Sequence, residues 1–135
     1  MEERKVVTVA RMCKVGETNA NGVRYTEESY RKALNDDVFK ELLESGRMLV
    51  GFHAPSTREM FNVPLDQAAG SITSITDEDV TFIPREKFAD EIIKQIEAGK
   101  LKMGMNYFGE TKTEEDGHIT ATIDRICSFS LCKVN

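Results

Sequence analysis

Lys102-Met103-Gly104-Met105-Asn106-Tyr107-Phe108-Gly109 is the stretch whose reading decides the fold. It follows directly on a helix pattern and reads as an extended run. Successive side chains of a strand point to opposite faces, so Met103 and Met105 flank Gly104 on one face, and Tyr107 and Phe108 face opposite ways. The two methionines read as core, able also to line an adaptable contact surface. One of the two aromatics is expected to be exposed. The helix before the run carries Phe88, Ile92, Ile93 and Ile96 as one apolar stripe, with Pro84 where it can begin and Gly99 where it stops.

Further upstream, Gly70 to Thr76 and Val80 to Ile83 read as two strands joined by Asp77-Glu78-Asp79. Met48 to Phe52 reads as a buried strand that meets a proline turn in Gly51-Phe52-His53-Ala54-Pro55, and 55–64 is a polar, irregular connection. Thr26 is a helix N-cap, with Glu27 and Glu28 in the first turn and Tyr30, Ala33 and Leu34 on one face. Asn35-Asp36-Asp37 interrupts that helix. Asp36 caps a second piece carrying Val38, Phe39, Leu42 and Leu43, stopped at Ser45-Gly46. Val6 to Met12 is a β-branched strand, followed by a turn at Asn19-Ala20-Asn21-Gly22. Downstream, Glu115-Asp116-Gly117 is a hairpin turn, and His118 to Ile126 and Ser128 to Val134 are the last two strands. The order of strand, helix pair, three strands, helix and three strands predicts an α+β domain spanning 1–135, with a mainly antiparallel barrel or sheet and flanking helices.

The chain has 135 residues, 40% hydrophobic and 30% charged, the balance of one soluble globular domain. No apolar run approaches the roughly 18 residues needed to cross a bilayer, and the charged N-terminus does not read as a signal peptide. The net charge is -5. That balance excludes a broad positive field for nucleic acid or an anionic membrane. The three cysteines, Cys13, Cys127 and Cys132, lack C-x-x-C spacing. They fit a reducing compartment, with Cys13 and Cys127 as small core residues. His53 and His118 lack metal-ligand spacing, and no cofactor is indicated.

Five segments in order resemble the tailed-phage prohead maturation proteases. Asn19 to Leu34, opening on Asn19-Ala-Asn-Gly-Val-Arg-Tyr25 before a helix, resembles the entry motif of that family, and Gly51-Phe52-His53-Ala54-Pro55 its catalytic-histidine motif. Val63 to Ile72 resembles the loop and strand that follow. Ile96 to Met105 resembles the helix end and strand that lead to the serine, and Ser128 to Cys132 the closing strand. The resemblance runs from about residue 15 to the C-terminus. It implies the assemblin-type fold shared with herpesvirus capsid proteases, and a phage protein acting on scaffold or capsid protein in the bacterial cytoplasm or the immature head. It also implies a homodimer.

At the serine this chain departs from the family. Gly104-Met105-Asn106-Tyr107-Phe108-Gly109 puts Asn106 at the expected nucleophile and Phe108 in place of an arginine. A carboxamide has no ionisable hydroxyl for a base to activate. The leading reading is therefore a protease-fold domain without peptidase activity that serves capsid assembly or partner binding. His53 is then either a vestigial general base or a strand-end histidine bonded to its own loop.

Two readings stand beside it. In one, a serine among Ser56, Ser71, Ser74, Ser128 and Ser130 is the nucleophile of an active endopeptidase, although no G-x-S-x-G elbow surrounds any of them. In the other, Met105, Asn106, Tyr107, Phe108, Ser71 and His53 form a pocket that captures a host ligand. Asp66 and Asp124 are candidates to orient His53, with turn or surface roles as the commoner alternative. His118 reads as a solvated hairpin residue.

Overall fold

The computed structural model describes residues 6–12, 16–18, 22–52 and 68–133. Within them run β1 (Val7–Ala10), β2 (Val23–Tyr25), α1 (Glu27–Leu34), α2 (Asp37–Glu44), β3 (Leu49–Gly51), β4 (Ala68–Ile75), β5 (Asp79–Pro84), α3 (Glu86–Glu97), β6 (Leu101–Thr113) and β7 (Ile119–Lys133). The strands form one sheet in the order β1-β5-β4-β3-β7-β2, with β6 on the other edge of β7. Pairings β1/β5, β3/β4, β4/β5 and β6/β7 are antiparallel, whereas β2/β7 and β3/β7 are parallel. Arg11, just beyond β1, bridges to Met103 of β6, and the Met12 amide donates to the Met103 carbonyl at 3.0 Å. The first strand therefore returns to β6, and the sheet curls into a half-barrel.

Long antiparallel pairing of β6 with β7 is the spine. The hairpin between them closes at Gly117, whose φ of 90° admits glycine without strain. The sequence predicts two strands over 118–126 and 128–134, but 119–133 is one strand of 15 residues. The register slips between Asn106 and Tyr107, so Cys127 is the extra residue of a bulge that bends β7 without ending it. β2 also departs from expectation. It lies in a region read as turn, and its parallel pairing with β7, with a bridge from Arg24 to Thr18, makes it a strand. Pro84 closes β5, and Arg85 is the N-cap of α3. A proline's missing N–H costs little at a strand's end.

The helices close one side of the curl. α1 and α2 break at Asn35 and Asp36 as their sequence signals require. Thr26 is the N-cap, but its hydroxyl pairs with the Ser29 hydroxyl rather than a backbone amide. Ser29 in turn accepts the Ile123 amide at 2.9 Å, and the Thr26 amide donates to the Ala121 carbonyl at 3.1 Å. Two bonds thus fasten the start of α1 to β7. Val38, expected on the apolar face of α2, is exposed, while Phe39 is buried.

One apolar cluster joins Val9, Val50, Ile72, Val80, Phe82, Met103 and Phe129 of the sheet to Tyr30, Phe39 and Ile92 of the helices. Burying each large side chain contributes about 1.5–3 kcal/mol before chain entropy is subtracted. Through Met103 and Phe129 that cluster packs against one face of the β6/β7 spine that carries the candidate site.

Candidate functional site

Asn106 lies in the middle of β6, opposite Ser128 of β7. Gly104 lies opposite Ser130 in the same ladder. The period of two sets Gly104, Asn106, Ser128, Ser130 and Cys132 on one face, and Met103, Met105, Phe129 and Leu131 on the other. On the first face the Asn106 side-chain amide donates from Nδ2 to Ser128 Oγ at 3.1 Å and to Ser130 Oγ at 2.8 Å. Both serines are buried, at 1% and 3% exposure. Gly104 makes room beside this cluster. A Cβ there would stand 3.2 Å from Cys132 Sγ and 3.8 Å from Met12 Sδ.

β3 enters from the far edge of β7. Gly51 pairs in parallel with Ser130, and Phe52 stacks edge-on against Phe88 of α3 at 4.9 Å between centroids. The described residues break off there and resume at Ala68. His53, Ala54, Pro55, Ser56 and Asp66 lie outside the described residues, as does Cys13. β3 therefore brings the chain to the residue before the expected base, beside the serine pair.

The other expected site residues divide. Tyr107 is half-buried, edge-on to Tyr25 at 5.4 Å, while Phe108 keeps 39% of its surface exposed. That is the opposed pair the strand reading predicts. Met105 packs against the core, and its sulfur accepts from Arg11 Nη2 at 3.5 Å. Ser71 on β4 donates to the Gly46 carbonyl at 2.6 Å, a tie from β4 to the end of α2. Ser74 and Asp124 are exposed on β4 and β7. His118 is at the hairpin tip, paired through Nδ1 with Asp116 and half-buried rather than fully solvated. The His118 backbone amide, and next its ring, hold the Asp116 carboxyl below the usual carboxylate range. Among the described residues no three metal-ligating side chains converge.

Burial pushes the Cys127 thiol up to about 11, and the Cys132 thiol upward as well. Neither has the electropositive, open setting of a reactive cysteine. The cluster around Asn106 can therefore accept and donate neutral hydrogen bonds, but Asn106 itself supplies neither nucleophile nor base.

One buried group was missed in the sequence. Arg11 is 4% exposed, donates from Nη1 to the Tyr30 hydroxyl at 2.6 Å and to the Thr76 carbonyl at 3.3 Å, and lies over the Tyr30 ring at 4.9 Å. The signal was the alternation Val7, Val9, Arg11, which puts the guanidinium on the inward face.

No protein-family model matches the chain, and no curated protein matches it. Among solved structures it is similar to the bacteriophage T4 capsid assembly protease, gp21, with a TM-score of 0.72. The identity is 17%, over 96% of this chain and 81% of that one. At such identity the likeness concerns the fold. The α+β half-barrel described above is thus a prohead protease-like fold, as the five sequence segments implied.

Proposed function

We propose that this chain is a phage capsid-assembly protein that keeps the fold of a maturation protease, of assemblin type, without peptidase activity. It acts by binding a scaffold or capsid protein. The observation that carries this reading is the Asn106 amide bonded to both Ser128 and Ser130. Attack on a peptide carbonyl needs an oxygen lone pair within about 3–3.5 Å of the carbon. Here Nδ2–H occupies a lone pair of each hydroxyl, and both serines are buried on one face of the β6/β7 ladder. A substrate carbonyl reaches neither oxygen while the serines stay buried. Phe108, exposed on the same face of β6, supplies apolar area for a partner. Action in the host cytoplasm and the immature head follows from the same reading.

The test is labelling of the purified chain with a serine-directed fluorophosphonate, read by mass spectrometry, alongside incubation with the phage scaffold protein. No adduct and no cleavage are expected. An adduct on any serine overturns the reading.

A second reading has its own support. Ser130 is the hydroxyl beside Gly51, two residues before His53 in the chain. An endopeptidase using Ser130 would give an adduct on that residue, and His53→Ala would abolish it.

A further inference from the structure

The register that gathers Asn106, Ser128 and Ser130 on one face of β6/β7 turns Leu101, Leu131 and Lys133 to the other. On that second face, between α3 and the strands, lies a cavity of about 310 Å³. Phe52, Ile92, Leu101 and Leu131 are its apolar wall. Ile92 and Leu131 are buried, and Phe52 and Leu101 half-buried. Ligand pockets span roughly 300–1,000 Å³, so this one suits a small molecule. Its polar groups come from two sides. α3 supplies Glu91 and Gln95, and β7 supplies Lys133. Gln95 Nε2 donates to Glu91 Oε1 at 2.8 Å, which leaves the other carboxylate oxygen and the Gln95 carbonyl as acceptors. Glu91 and Lys133 form no ion pair with each other or with any other described residue.

We propose that this cavity binds a free α-amino acid with a large apolar side chain, of the leucine, methionine or phenylalanine kind. Glu91 and Gln95 receive the α-ammonium, Lys133 receives the α-carboxylate, and the side chain lies against the apolar wall. Charge complementarity selects this occupant. An apolar cavity whose polar groups carry one anion and one cation, unpaired with each other, matches a ligand that carries both charges beside an apolar body. A fatty-acid anion would meet Lys133 but place its charge near Glu91 with nothing to offer it. The amino end of a peptide would satisfy Glu91 and leave Lys133 without a partner. The inference is independent of whether the chain cleaves peptides, because the cavity lies on the face of the ladder away from Asn106. Glu91 and Lys133 are exposed, so each charge pair contributes little and binding is weak.

Titration of the full chain with L-phenylalanine, L-leucine and L-methionine to about 20 mM, followed by amide chemical shifts, tests the proposal. At about pH 6.5 the α-amino group of each probe is charged. Saturable shifts are expected at Ile92, Gln95, Leu131 and Lys133, with a Kd on the order of 1 mM. N-acetyl-L-phenylalanine lacks the ammonium and L-phenylalaninamide lacks the carboxylate, and each should bind about fivefold more weakly. Glu91→Gln should weaken phenylalanine by a similar factor without weakening the N-acetyl form further. Lys133→Gln should do the same relative to the amide. Both positions are exposed, and circular dichroism checks that the variants keep the fold. The absence of saturable shifts overturns the proposal. So does equal binding of phenylalanine and its two capped forms, which would mark an apolar cavity alone, or binding indifferent to both substitutions.

Discussion

Asn106 shows how one side chain changes what a strand can do. Its amide is the donor that two buried hydroxyls share, so replacing it changes a network rather than one bond. Asn106→Leu keeps the approximate volume and removes the Nδ2 donor from both Ser128 and Ser130. Loss of a buried partner costs about 1–3 kcal/mol. Urea unfolding should show that loss as a lower midpoint at unchanged slope. A variant as stable as the native chain would mean that the network contributes nothing to folding. Asn106 was visible in the sequence as an unusual residue at a motif position. That it bonds Ser128 and Ser130, out of five serine candidates, was not. The partners are 22 and 24 residues away, and only the β6/β7 register brings them together.

At the level of the element, close packing between strands decides which residues are permitted. Gly70 of β4 pairs with Pro84 of β5, where a Cβ would fall on the Ile83 carbonyl oxygen and within 2.8 Å of the Phe82 ring. The obstacle is backbone, which cannot swing aside as a flexible side chain can. Gly70→Ala should therefore sit at or beyond the top of the usual overpacking range of about 1–3 kcal/mol. Thermal unfolding by circular dichroism reads it, and an unchanged midpoint would show that β4 and β5 can part cheaply. Gly99, open to solvent at φ 70°, makes a different demand, for a left-handed turn after α3. The three helices were legible because their apolar spacing and stop signals are local. β2 was not, because three residues carry too short a pattern. The continuity of β7 was hidden too, because a bulge breaks alternation just as a turn does.

At the scale of the whole molecule, burial that exists only in the folded sheet gives the protein a pH dependence. Cys127 is 3% exposed, and its thiol is pushed from 9.0 up to about 11, chiefly by burial. In the unfolded chain the thiol ionises first, so the unfolded state gains as pH rises from about 9 towards 11. The stabilising contribution is complete below pH 9 and is lost as pH climbs through the folded value. Compared with Cys127→Ala, the native chain should lose up to about 2 kcal/mol of unfolding free energy over that interval. Parallel stability curves for the two proteins would refute the assignment.

The prohead protease-like fold was readable from five motifs in order, and the structural likeness to the T4 enzyme reaches the same fold at 17% identity. Hydrophobic periodicity, helix stops and the hairpin signal at Gly117 are consequences of short-range sterics, so they could be read along the chain. The curl of the sheet, the parallel entries of β2 and β3, the inward Arg11 and the enclosure of Ser128 and Ser130 could not. Each depends on strands far apart in the chain meeting edge to edge, and pairing energy of that kind leaves no mark on neighbouring residues.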